Sequence, residues 1–518
     1  MLEHIMRLLN SPYGPDVLRA VKVCFLVFLA IAALAILCAS SGKPGKTNFG
    51  LLRLLFTVLF ALVLAYQATW QLAGFTKPEF VKFMRRYNRR PNAADLQVAR
   101  GPLLDCRGMV LTAPVLGDVW GRRYPLGAAA AHPLGYYHPR FGITGVERVC
   151  DPVLSGYTAE GGDLSPGRAL FAQRAEEGAE VTLTLDTRLQ LKAYDLMAGR
   201  KGAVVIMRPH DGALLAMVSS PGFNPHDPEA ALRDDVNSPA LNRVTQGRYA
   251  PGSVLKILSA AAALEKGLAP VFQCPAQGYI AGPNTPPIRD SEYYAYARQG
   301  AAWQGWGRME MKAAMVHSSN VYFAQLGVAC GVEAFKAMME RARLNSSLTY
   351  LKNAHAELQG SSGNVPDVRK APELAQLAIG QGAMLVTPLH VACFTAAAAS
   401  EGRMMRPRLL RDEKAEETAQ LFSSSTAERL KAMLRETVTD GTGRGADVAG
   451  LEVCGKTGTA QTADGEDHAW FSCFAPRKQP RLVVTVLIEH GGFGARAALP
   501  VARALLEEAD RLGYVRQR

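Results

Sequence analysis

Apolar and polar positions divide the 518-residue chain into zones of different period. Residues Val23 to Ser40 ("VCFLVFLAIAALAILCAS") carry no charge, and a second apolar run from Leu54 to Ala65 ("LLFTVLFALVLA") continues through Tyr66 and Trp70 to Phe75. The first run is long enough to span a bilayer, and the aromatic end of the second suits a membrane interface. The loop between them, "SGKPGKTNFG", is short and polar. Residues 1–75 are expected to be a membrane anchor of one or two transmembrane helices, because no small-residue cleavage pattern closely follows the first run. From 76 to 186 the chain is rich in Gly and Pro. Bursts such as "GPLLDCRGMVLT" and "VTLTLD" there predict short strands and turns in one modest pedestal module.

The period changes again after that. "GAVVIMRPHDGALLAMVSS" (Gly202–Ser220) is two strand-like runs around a His210-Asp211-Gly212 turn, a hairpin pattern. An Ala/Leu-rich helical region follows from Ser253 to about Ser400. Three strand candidates come next ("LEVCGKTGTAQ", "HAWFSCFAP", "RLVVTVLIEH"), and "LPVARALLEEADRLG" closes the chain as an amphipathic helix. Strands early, helices between and strands late predict one α+β domain over 187–518 whose sheet is completed by distant segments.

Charge alters this picture little. The formal net charge of +12 comes without a nucleic-acid motif or an aromatic-basic platform. It points to an exported enzyme near anionic membrane or wall polymers, and no nucleic-acid partner is expected. The nine cysteines cannot all pair within the chain, and Cys24 and Cys38 lie in the first apolar run. No CxxC or Cys/His cluster is present, so neither a metal nor another cofactor is expected. Cys454 and Cys473 flank a predicted strand pair. They read as two small buried hydrophobes more readily than as a disulfide.

The candidate chemistry starts in "RYAPGSVLKILSAAAALEKG" (Arg248–Gly267), a helix former that is apolar on nearly every side yet carries Ser253 and, three residues on, Lys256. Residues i and i+3 share a helix face, which puts the hydroxyl and amine within hydrogen-bond reach. A serine becomes a nucleophile when a base takes its proton, and a buried lysine is such a base once burial has lowered its pKa. "VHSSNVYF" supplies Ser318 and Asn320, and "CGKTGTA" supplies Lys456, Thr457, Gly458 and Thr459. The ordered set SxxK, SxN and KTG is close to the signature of penicillin-binding proteins and serine β-lactamases. His317, next to SxN, reads as a packing residue. No GxSxG elbow is present for an ordinary triad hydrolase.

Those triplets, with "GITGVER", "LDTRLQLKAYD", "LNRVTQGRYAPGSVLK" and "IGQGAMLVTPLHVA", resemble a class B penicillin-binding protein over roughly Arg100 to Glu508. The resemblance implies a serine penicillin-recognising transpeptidase fold: an antiparallel sheet flanked by helices, plus an all-helical lobe. It also implies a peptidoglycan D,D-transpeptidase that is inhibited by β-lactams and cross-links stem peptides. Ser253 would be the nucleophile, Lys256 the base, and Ser318 the proton carrier to the leaving amine. Asn320 would hold Lys256 and the substrate amide, Lys456 would add positive potential, and Thr457 and Thr459 would bind the terminal carboxylate. Gly458 would let the substrate backbone lie close, and the backbone N–H groups of Ser253 and Thr459 would form the oxyanion hole. The family pattern often has Thr, Phe or Met where Val254 and Leu255 stand.

A membrane glycosyltransferase partner of the shape, elongation, division and sporulation type is implied as well. So is an inner-membrane location with the catalytic domain on the periplasmic side. The basic residues Lys77, Lys82, Arg85, Arg86, Arg89 and Arg90 argue the other way, since such clusters usually stay cytoplasmic. Access to the substrate decides for the outside. Alternatives are a carboxypeptidase or β-lactamase of the same fold, or a non-catalytic β-lactam or muropeptide sensor or scaffold.

Overall fold

The computed structural model describes residues 56–61, 63–64, 99–115, 118–156, 178–354, 356–462 and 465–516. The first apolar run and the basic cluster at 77–90 lie outside these residues. Within the second run, Phe56, Val58, Phe60, Val63 and Leu64 are helical and exposed. No described helix is long and apolar enough to cross a membrane. The chain divides into two compact units, 1–88 with 163–172 and 89–162 with 173–518. The second holds the sheets and the helical lobe.

Its N-terminal part carries a sheet of four short strands, β1 (Leu103–Leu104), β2 (Val110–Val115), β3 (Asp118–Arg123) and β4 (Val181–Thr182), in the order β3-β2-β1-β4. The Asp105 carboxylate accepts from the Arg107 and Met109 amides at 2.8 Å each, which closes the tight turn between β1 and β2. Against this sheet sits a buried ionic knot. Glu147 accepts from Arg100 Nε at 2.8 Å and from Arg122 Nε at 2.6 Å, and Arg100 also reaches Asp151 and Ser155.

The remainder is built on helix α1 (Thr187–Leu196) and the expected hairpin of β5 (Gly202–Met207) and β6 (Leu214–Ser220). A helical lobe follows, with α2 (Lys256–Glu265), α3 (Met311–His317), α4 (Asn320–Cys330), α5 (Pro388–Ala399) and α6 (Ser424–Thr439) as its main helices. Then come β7 (Cys454–Ala460), β8 (His468–Ala475), β9 (Leu482–Ile488) and the closing helix α7 (Gly494–Arg511). The five strands form one antiparallel sheet in the order β7-β8-β9-β5-β6. The hairpin near residue 210 is thus completed by strands that come some 250 residues later in the sequence, as the order of elements predicts.

Strand alternation splits the core into two layers. Val204, Ile206, Phe471, Val484 and Val486 face α1 and α7, while Ala203, Val205, Trp470, Phe474, Val483 and Leu487 face the helical lobe. Because helices cover both faces, β5, β6 and β9 are buried at every position and read as near-continuous apolar runs rather than alternating ones. The period-2 rule also settles the cysteines. Cys454 pairs with Phe474 and belongs to the lobe layer, whereas Cys473 belongs to the α7 layer; both are free and buried.

Two expectations are modified. The region 253–400 is interrupted by strand pairs at 272–275 with 305–309 and at 349–352 with 357–359, where glycines and turn residues break the helical period. The last helix begins at Gly494 rather than Leu499 and runs through Pro500. Packing of its first turns on β8 overrides the start signal that the proline gives.

Candidate active site

Ser253 lies in a 3-10 turn (Gly252–Leu255) that leads directly into α2, whose residues Lys256 to Leu264 are all buried. Leu, Ile and Ala supply both the helix propensity and the apolar surround, so the lysine has no route to water along its stem. The turn itself abuts the edge strand β7. Gly252 has φ +54°, and a Cβ there would come within 2.5 Å of the Thr459 carbonyl oxygen. This close approach keeps the Ser253 backbone beside Thr459 and favours glycine at 252.

Ser318 sits between α3 and α4 in the left-handed region, φ +58°, uncommon for a residue other than glycine. The conformation is held from both sides. Lys256 Nζ donates to the Ser318 carbonyl at 2.6 Å and to Asn320 Oδ1 at 2.7 Å, and lies 3.4 Å from Ser318 Oγ. Lys456 Nζ donates to Ser318 Oγ at 2.7 Å and to the Thr457 carbonyl at 3.1 Å. Three segments that are distant in sequence therefore converge on one hydroxyl. Ser253 Oγ makes no hydrogen bond among the described residues, so the Ser253–Lys256 contact expected from their spacing is not formed. Lys256 is turned toward Ser318 and Asn320 instead.

Both lysines are fully buried. Burial lowers Lys256 to about 7, against the opposing pull of Asp290 and Glu292. Burial and then the neighbouring Lys256 press Lys456 well below its ordinary value, with Glu292 opposing. A charge on Lys256 thus disfavours a second one on Lys456. His317 stacks on Trp306 with ring centroids 4.1 Å apart, a packing role.

On β7, Thr457 Oγ1 donates to Thr442 Oγ1 at 2.7 Å, and the Thr459 carbonyl accepts from Gln381 Nε2 at 3.4 Å. A Cβ on Gly458 would lie 3.0 Å from both Trp470 Cβ and Val254 Cγ1. The missing side chain thus makes room for the protein's own nucleophile turn. Sequence reasoning passed over Thr442, which lies in no recognised triplet, and Asp290. The latter precedes the helix Ser291–Arg298 and reads as its cap, yet its side chain makes no cap bond there. It bonds the Ser319–Val321 segment instead.

Residues 202–507 match the penicillin binding protein transpeptidase domain. The chain belongs to that family. Among its relatives, the peptidoglycan D,D-transpeptidase PbpA of Mycolicibacterium smegmatis is 32% identical over 432 residues, covering 76% of this chain and 84% of the relative. The peptidoglycan D,D-transpeptidase MrdA of Acinetobacter baumannii is 29% identical, covering 73% of this chain and 65% of its own. The structure of penicillin-binding protein A from M. tuberculosis as a ceftriaxone acyl-enzyme superposes with a TM-score of 0.70 at 28% identity, over 80% of this chain and 99% of that one. These likenesses make the chain a class B penicillin-binding protein.

Proposed function

We propose that this protein is a peptidoglycan D,D-transpeptidase that works through a serine acyl-enzyme and is inhibited by β-lactams. The observation that carries the reading is the convergence of Lys256 and Lys456 on Ser318, next to the turn that bears Ser253. Ser253 Oγ attacks the carbonyl between the two terminal D-alanines, and neutral Lys256 takes its proton. The backbone N–H groups of Ser253 and Thr459 hold the oxyanion, an interaction worth about 3–4 kcal/mol in the transition state. Ser318 hands a proton drawn from the lysine pair to the leaving nitrogen, the C–N bond breaks, and D-alanine departs. An amine of a neighbouring stem then attacks the ester, giving up its proton by the reverse route and regenerating Ser253. Thr457 and Thr459 orient the terminal carboxylate, with Thr442 fixing the Thr457 hydroxyl.

The same reading divides the chain into an anchor (1–75), a pedestal (76–186) and a catalytic domain (187–518) outside the cytoplasm. The apolar run 23–40 and the outward-facing Phe56, Phe60 and Leu64 support the anchor. A membrane glycosyltransferase that makes the glycan strands is the partner this arrangement implies. An impermeant thiol reagent should label a cysteine placed at Asn92 in intact cells; no label there would overturn the location. The chemistry is tested by a gel with fluorescent penicillin. Wild type should label, Ser253→Ala should not, and labelling that survives the substitution refutes the reading.

A further inference from the structure

We propose that Asp290 is a positioning residue for this reaction: its buried carboxylate locks the Ser318–Ser319–Asn320 turn and, through Asn320, biases the proton on Lys256. The inference rests on the function proposed above. Asp290 is 3% exposed. Its Oδ1 accepts from the Asn320 amide at 2.5 Å and from the Val321 amide at 3.1 Å, and its Oδ2 accepts from Ser319 Oγ at 3.1 Å. Ser319 Oγ in turn caps α4 by accepting from the Tyr322 amide at 3.1 Å. One carboxylate therefore satisfies the amides that open α4, where negative charge is favourable. The Asn320 side chain is tethered from the same loop, Nδ2 donating to the Arg289 carbonyl at 3.0 Å, which leaves Oδ1 directed at Lys256 Nζ. The loop 289–290 thus fixes both ends of the asparagine that receives the lysine.

Other titratable groups face the same spot. Glu292 adds a second negative charge, Lys456 opposes it from β7, and the neutral Cys274 thiol lies 4.0 Å from Ser319 Oγ. Burial raises the Asp290 carboxyl above its ordinary value, against its bonds to Val321, Ser319 and Asn320 and the field of Lys256, which favour the charged form. A charge here stabilises protonated Lys256, so its removal must shift the lysine toward neutrality at lower pH.

The test is the rate of Ser253 acylation by a chromogenic β-lactam across pH, for wild type, Asp290→Asn and Ser319→Ala. The expected result for Asp290→Asn is a loss of about tenfold or more, with the ascending limb moved to lower pH by roughly half a unit or more. Ser319→Ala removes one contact but keeps the charge, so it should slow acylation without moving the limb. An unmoved limb in Asp290→Asn reduces Asp290 to a helix cap and overturns the proposal. Should Asp290→Asn fail to fold, Asp290→Glu decides: a slowed reaction with the limb in place supports the proposal, and wild-type rates overturn it. Labelling that survives Ser253→Ala removes the underlying reading whatever Asp290 does, so the two failures are distinguishable.

Discussion

Two clusters of buried charge in this molecule have opposite settings. Beside the short N-terminal strands, Arg100 and Arg122 close on Glu147 from two sides, and Glu147 is fully buried. Burial alone would push the Glu147 carboxyl up, but Arg122 and Arg100 outweigh it and hold it below the ordinary carboxylate range. Burial likewise pulls Arg100 down, and Glu147 with Asp151 more than reverses it. At the active site, Lys256 and Lys456 are as deeply buried, yet among the described residues no carboxylate bonds either one; their partners are hydroxyls, carbonyls and an amide oxygen. Burial wins there, and both move toward the neutral form. A paired buried ion holds geometry and stays charged, whereas an unpaired one becomes a base.

The comparison breaks most visibly at Lys256. Lys256→Arg places a permanently charged guanidinium where a neutral amine is required, and acylation of Ser253 should fall by about 10²–10⁴-fold. Stopped-flow acylation measures it, and a loss of less than tenfold would show that neutrality is not what the site needs. Lys456→Arg should be milder, about 10–100-fold by the same assay, because this residue holds Ser318 rather than taking the Ser253 proton. Equal losses at the two positions would erase the division of roles.

The Glu147 cluster should respond in stability instead. Glu147→Gln leaves buried Arg122 with a neutral partner and Arg100 with Asp151 alone, and should cost about 3–5 kcal/mol, read from denaturant unfolding. The acylation rate of the folded protein should be unchanged. The wild-type contribution of Glu147 is complete above its unfolded pKa, about 4.3, and is lost as pH falls through its lower folded value; the variant should lack that dependence. Gly458→Ala should have the smallest effect, about 1–3 kcal/mol of overpacking against Trp470 and Val254. Most of it should appear as slower acylation, since the displaced atoms belong to the turn that bears Ser253.

The grouping of Lys256, Ser318, Asn320 and Lys456 was legible in the sequence because each triplet rides on an element with a clear local signal. SxxK opens an apolar helix, SxN opens α4, and KTG lies within a strand. The hairpin around Gly212 and the order of the late strands were legible for the same reason. What lay hidden depends on contacts between segments far apart in the chain. Asp290 meets Asn320 across 30 residues, and its local string reads as the cap of another helix. Thr442 meets Thr457 only because the loop after α6 folds over β7. The turn of Lys256 away from Ser253 and toward Ser318 is likewise invisible in a spacing of three, which fixes a helix face but not a rotamer.

The central claim is that burial without a carboxylate partner makes Lys256 the base. Its most direct test is the rate at which a β-lactam acylates Ser253 as a function of pH, followed by intact-protein mass spectrometry. The account predicts a rise with a midpoint near pH 7 as Lys256 loses its proton. A rate that stays flat from about pH 6 to 9, or that rises only toward the ordinary lysine range near 10.4, would contradict it.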